Sequence, residues 1–195
     1  MSTAMQEWPR RHRLKVGQYH RMAAAGLFQS NERVELISGE IIDVPPIGSL
    51  HASVVAWLGE RLAAAVAGRA MIRSQLPVLL GDDSEPLPDV AVVVATEDYY
   101  APRHPIAADA LLLIEVSDTT LRYDREVKAS LYARHSVPEV WIVDLHACVV
   151  HCYRAPVSGA YTVIRTEDRR VELSSLPGVA IDLADLGRLR RAHVR

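Results

Sequence analysis

Three short runs constrain this chain more than anything else in it: Asp89-Val-Ala-Val-Val-Val, Leu111-Leu-Leu-Ile-Glu-Val and Val140-Trp-Ile-Val-Asp-Leu. Each is nearly unbroken in apolar residues over the length of one strand. A strand with one wet face alternates apolar and polar side chains. Continuous runs belong to strands covered on both faces, as in an α/β sheet. Further strands are expected over Ser74–Leu80, ended by the polar turn Gly81-Asp82-Asp83-Ser84, and in a terminal meander at Val149–Tyr153, Tyr161–Arg165 and Val171–Leu173. Arg33–Val44 reads as a hairpin turning at Ser38-Gly39 and ended by Pro45-Pro46.

Helical spacing supplies the cover. Val54, Val55, Leu58, Leu62 and Val66 make one apolar face of a long helix, with Ser49 as its N-cap, Gly68 as its stop and Glu60 and Arg61 off the face. A short helix is expected over Gly17–Ala25, stopped by Gly26. Another is expected over Asp124–Ser136, with Val127, Leu131 and Tyr132 inward. This order predicts an α/β (α+β) domain, a mixed sheet with helices packed on it. No glycine fingerprint follows a strand and there is no P-loop, which excludes both nucleotide-binding frameworks.

At 195 residues the chain is long enough for one core. The expected division is a basic lead-in over 1–16, a single domain over 17–187 and a basic tail over 188–195. The tail carries Arg188, Arg190, Arg191, His193 and Arg195, and is either a phosphate-touching patch or a frayed end. With 49% hydrophobic and 24% charged residues the chain is neither collagen-like nor disordered. No apolar run approaches the ~18 residues of a membrane span. The basic N-terminus lacks the apolar stretch of a secretory signal. Two cysteines, Cys148 and Cys152, cannot build a disulfide framework, so the expected location is the cytoplasm. A net charge of −2 means that any nucleic-acid contact must come from local basic patches. One Phe and 6% aromatics do not make a stacking platform.

Carboxylates inside the apolar runs carry the functional signal. Burying Asp89 and Glu115 costs several kcal/mol unless a cation compensates. Two converging carboxylates suit a hard divalent ion. The plainer alternative makes Asp89 a strand-start cap and Glu115 a salt-bridged edge residue. Lys128 lies 13 positions after Glu115, on the following helix, where it can be aimed back at that acid or simply face solvent. It is the only lysine besides Lys15. His146, Cys148, His151 and Cys152 crowd one short strand, whereas tetrahedral zinc takes ligands from more than one element, so no zinc site is expected.

These residues belong to an ordered set of blocks: Arg33-Val-Glu-Leu-Ile-Ser-Gly-Glu-Ile, His51, Pro88-Asp89-Val-Ala-Val-Val, Leu113-Ile-Glu-Val-Ser-Asp-Thr-Thr, Asp124 with Lys128 and Tyr132, and Val137-Pro-Glu-Val-Trp-Ile-Val-Asp. The set resembles the PD-(D/E)XK nuclease superfamily in its restriction-endonuclease-like Uma-type branch, long catalogued as a domain of unknown function. The likeness runs from about Tyr19 to Leu186. It implies Asp89 and Glu115 as metal-binding acids, Glu35 as an additional acid and Lys128 as the catalytic lysine. His51, Asp124 and Tyr132 would support them from behind. The superfamily's usual lysine position, two residues after the acid, holds Ser117 here, and the family's glycine before Val137 is Ser136. The implied activity is a Mg²⁺- or Mn²⁺-dependent endonuclease acting on DNA. A two-fold homodimer is expected to supply one site per strand. Two other readings stay open: a nuclease-fold module that binds DNA or assembles without cutting, and a metal-dependent phosphodiesterase for a non-DNA substrate.

Overall fold

The computed structural model describes residues 11–29 and 32–193. Residues 1–10 of the expected lead-in, and Arg195 of the tail, lie outside them. A six-stranded sheet runs in the order β3 (Ala70–Ser74), β4 (Val90–Val94), β5 (Ala110–Ser117), β6 (Glu139–Asp144), β7 (Val149–Val157), β8 (Ala160–Glu167). Only β5 and β6 are parallel. Their crossover is a helical rod made of α3 (Leu121–Tyr123), a π-helical turn (Asp124–Lys128) and α4 (Ala129–Arg134). The continuous apolar runs are explained by two cores, one on each face of the sheet. Val90, Val92, Leu112, Ile114, Trp141 and Val143 pack under α2 (Ser49–Val66) and α5 (Ala184–His193). Ala91, Val93, Leu113, Val140 and Ile142 pack under α4. The alternation of a strand thus fills both faces.

Smaller elements frame one end of the sheet. α1 (Val16–Ala24) precedes the hairpin of β1 (Val34–Ile37) and β2 (Glu40–Asp43). Ser38 and Gly39 both have positive φ, 48° and 77°, as the primed two-residue turn requires. A Cβ on Gly39 would come within 2.7 Å of Arg13 Cβ, because the N-terminal segment crosses directly over the turn. Leu14 N–H donates to Gly39 O and Val16 N–H to Asp82 O, so residues 11–16 are tied down rather than loose.

Four expectations need correction. The strand expected at Ser74–Leu80 lies earlier, at Ala70–Ser74. Gln75 turns left-handed (φ 53°) and Pro77 comes two residues later, and neither continues a ladder. Gly48, not Ser49, caps α2, and Ser49 is its first helical residue. Val127 is 36% exposed while Lys128 is buried. The tail from Arg188 is helical through His193 within α5: Leu186 is buried, Leu189 packs against the core, and Arg190 donates to His146 O. The strand β10 (Ala180–Asp182), which pairs with β9 (Arg170–Glu172), was not anticipated from the sequence.

One buried charge ties the C-terminal strands to the sheet. Glu139 is fully buried and accepts from Trp141 Nε1 (2.6 Å), Arg154 Nε (2.8 Å), Ser174 N–H (2.8 Å) and the Ser174 hydroxyl. Glu139→Ala strands all of these donors and leaves Arg154 without its counter-ion. The expected loss is about 3–5 kcal/mol, measured as a lowered urea midpoint.

Candidate active site

Glu115 follows Leu113 on the same face of β5, so it emerges towards the helical rod rather than towards α2. In the π turn and α4, Asp124, Lys128 and Tyr132 stand at i, i+4 and i+8 and share one buried face. A π turn adds a residue to the helical repeat and rotates the residues after it, a device found at functional sites. Here it accompanies a buried Lys128 and an outward Val127. Lys128 Nζ lies 3.3 Å from Glu115 Oε2, and the Tyr132 hydroxyl donates to Glu115 Oε1.

Glu35 enters from the hairpin. Leu36 and Glu85 exchange backbone hydrogen bonds, which dock β1 on the 81–87 loop. Leu87 N–H then donates to Glu35 Oε2 (3.1 Å), and the same oxygen lies 3.1 Å from Lys128 Nζ. One ammonium therefore bridges two buried carboxylates from different elements. Burial pushes the Lys128 ammonium down, but Glu115 and Glu35 outweigh it and hold its pKa above the ordinary lysine value. Burial, with Asp124, Asp89 and Glu35 nearby, holds the Glu115 carboxyl well above the carboxylate range despite Lys128.

Asp89 sits one residue before β4. Val90 pairs with Ile114, and continuing that antiparallel register by one step sets Asp89 opposite Glu115. Residues so placed have Cβ atoms roughly 4.5–5.5 Å apart. Asp89 Oδ2 accepts from Val116 N–H (2.8 Å) and from His51 Nε2 (3.0 Å), and Oδ1 from Gln75 Nε2 (3.3 Å). Burial raises the Asp89 pKa, yet His51, Val116 N–H and Gln75 together bring it below the ordinary value. Asp124 Oδ2 accepts from Ser117 (2.7 Å) and Thr120 (2.6 Å). Glu35, His51, Asp89, Glu115, Asp124, Lys128 and Tyr132, the residues the resemblance implied, are thus gathered at this one place. Gln75 was missed, because its contact depends on a left-handed turn that no composition signals. Tyr123 was missed as well; its hydroxyl is buried without a partner, and burial pushes its pKa up to about 12. The i, i+4, i+8 spacing of Asp124, Lys128 and Tyr132 was legible, but the apolar Val127 drew the expected face elsewhere.

Glu35, Asp89, Glu115 and Lys128 line a cleft of about 300 Å³, walled by the β2–α2 connection and the turn after β5. A model of the Uma2 family, described as a putative restriction endonuclease, matches residues 16–184. The chain belongs to the Uma2 family. Among solved structures, it resembles a putative nuclease of the DUF820 family from Anabaena variabilis. The identity is 19%, 86% of this chain and 96% of that one are covered, and the TM-score is 0.69. At that identity the likeness establishes the fold, a nuclease-like mixed sheet. No curated protein matches.

For a Uma2 chain the question is whether these groups suit a metal ion. Among the described residues, no three His, Cys, Asp or Glu side chains form a ready-made cluster. Lys128 occupies the position between Glu35 and Glu115. The donor chemistry nevertheless fits a hard divalent cation. Asp89, Glu115 and Glu35 line the same cleft and offer carboxylate oxygens to it, and Glu115 is held up first by burial and then by the neighbouring acids Asp124, Asp89 and Glu35. No helix among the described residues is long and apolar enough to cross a membrane.

Proposed function

We propose that this Uma2 protein is a metal-dependent nuclease that hydrolyses DNA phosphodiester bonds internally. The observation that carries the reading is one cleft lined by both Asp89 and Glu115, beside a buried Lys128 that pairs with Glu115. Asp89 and Glu115, with Glu35, would hold Mg²⁺ or Mn²⁺. When bound there, such an ion would supply a nucleophilic water at neutral pH and neutralise charge on the scissile phosphate. Lys128 presents a fixed positive charge to the oxygens on which negative charge grows. His51 and Gln75 orient the Asp89 carboxylate, and Tyr132 holds one oxygen of Glu115. Asp124, fixed by Ser117 and Thr120, keeps the ammonium's surroundings acidic.

A second reading has its own observation. With Lys128 already bridging Glu35 and Glu115, the acids have an internal counter-ion, as a module that binds without cutting would need. Supercoiled plasmid separates the two. The nuclease converts it to nicked and linear forms with Mg²⁺ or Mn²⁺, and EDTA stops the conversion. An intact plasmid, bound with a steep salt dependence, would establish the module instead.

A further inference from the structure

The walls of the cleft differ from its floor. Pro45, Pro46 and Ile47 form an apolar wall on the β2–α2 connection, with Ile47 39% exposed. Around the cleft stand Glu35, Asp43, Asp89, Glu115, Asp118 and Asp124. Against these six carboxylates there are two permanent cations, Arg33 and Lys128, and Lys128 is committed to Glu35 and Glu115. Arg33 has no acidic partner within 4.0 Å among the described residues, and is the cleft's one guanidinium available to an incoming anion.

That distribution discriminates between DNA forms. Duplex DNA carries one negative charge per about 1.7 Å of axis, against about 3.4 Å for one strand. A surface that grips a duplex answers with a basic stripe, and the cleft here is acidic, with Asp43 and Asp118 exposed. The floor is also recessed: Glu115 is 3% and Lys128 7% exposed. A nucleotide entering a recessed cleft from a duplex must first be unpaired and unstacked, at a cost of a few kcal/mol that a single strand does not meet. A volume of about 300 Å³ lies at the small end of ligand pockets, ~300–1,000 Å³, and suits one nucleotide rather than several.

We infer that the cleft takes one unpaired nucleotide of a single-stranded DNA, its phosphate met by Arg33 and its base lying against Pro46 and Ile47. The inference rests on the nuclease reading for the chemistry, but binding tests it separately. The buried, unpartnered Tyr123 hydroxyl adds a hydrogen-bonding group to the same cleft. Scarcity of aromatics fits recognition of a single base rather than a stacked run. One strand needs one active site, so the two-fold dimer expected for cutting both strands is not required by this chemistry.

The test uses the full chain and a fluorescein-labelled 12-nucleotide strand, alone or as a blunt duplex. Cleavage is followed with Mn²⁺, and binding by anisotropy with Ca²⁺. The single strand should be cut at least tenfold faster and bound at least tenfold more tightly than the duplex. Ile47→Asp and Arg33→Gln, both at the surface of the cleft, should each weaken single-strand binding at least tenfold with little change in melting temperature. Arg33→Gln should also reduce the salt slope by about 0.7. Equal or better cleavage and binding of the duplex overturns the inference and leaves the nuclease reading standing. Absence of cleavage, with single-strand binding that Arg33→Gln removes, overturns the nuclease reading and leaves the inference standing. Unchanged binding in Ile47→Asp, or no binding of either form, overturns the inference.

Discussion

Asp89→Asn and Glu115→Gln are each expected to remove Mn²⁺-dependent DNA cleavage, by at least ~10³-fold, while the protein stays folded. On the proposed reading each exchanges an anionic metal ligand for a neutral amide, and without the ion there would be no activated water at neutral pH. The choice of amide matters. Asp89 satisfies Val116 N–H and the imidazole of His51. Asp89→Ala would leave those buried donors unpaired, at about 1–3 kcal/mol each. Asparagine keeps an oxygen for Val116 N–H, so the loss of activity can be read apart from any loss of fold. In Glu115→Gln, Lys128 retains Glu35 at 3.1 Å, so its charge stays compensated. Plasmid cleavage followed alongside circular-dichroism melting checks both halves. Equal cutting by wild type and either variant would place the activity elsewhere.

Lys128→Met should lower stability strongly as well as eliminating most activity. The ammonium is the shared counter-ion of two carboxylates whose side chains are 3% and 4% exposed. Removing one partner of a buried ion pair typically costs ~3–5 kcal/mol, because the remaining charge is left uncompensated. At ~2–4 °C per kcal/mol for a chain of this size, the melting temperature should fall by roughly 6–20 °C. The sign of the pH dependence is fixed by Glu115. Its folded-state pKa is raised, so the folded protein holds a proton that the unfolded chain has released. Stability of Lys128→Met should therefore recover as the pH falls from neutrality through that raised value. Wild type keeps its ammonium and should gain less. Adding Glu115→Gln to Lys128→Met should restore part of the loss at pH 7, which a double-mutant cycle measures. Cleavage by Lys128→Met should drop at least ~10²-fold, the usual effect of losing one electrostatic contact in the transition state. A melting temperature within 2 °C of wild type would show that Glu35 and Glu115 are not ionised together in the native protein.

Much of this molecule was legible in one dimension because the strongest signals are local. The runs at Val90, Leu111 and Val140 announced strands buried on two faces, and both cores are there. Ser38-Gly39 announced a turn with two positive φ values. Carboxylates set in such runs announced chemistry, since burial would otherwise penalise them. The residues that supply the context of those carboxylates come from far along the chain. Glu35 reaches Lys128 across 93 positions because the Leu36–Glu85 bridge docks the hairpin. Gln75 reaches Asp89 through a left-handed turn, and His51 through the seating of α2 on the sheet. The helical tail depended on Leu186 and Leu189 finding the core beside α2, which no local pattern in a run of arginines discloses.

By itself, then, the amino-acid sequence determined the central strands, the hairpin and the long helix, that the sheet is covered on both faces, and that Asp89 and Glu115 are acids set against apolar runs. Hydrophobic periodicity and the cost of burying charge act over a few residues, and they are written in order along the chain. Tertiary structure alone decided that Lys128 serves two carboxylates at once, that Asp89 and Glu115 stand opposite one another, and that their cleft is rimmed with acids around a single available Arg33. Those relations are set by the register of β4 on β5, by the π turn that accompanies Val127 facing outward and Lys128 inward, and by the docking of the hairpin. Each is a choice among packings that leave the local pattern unchanged.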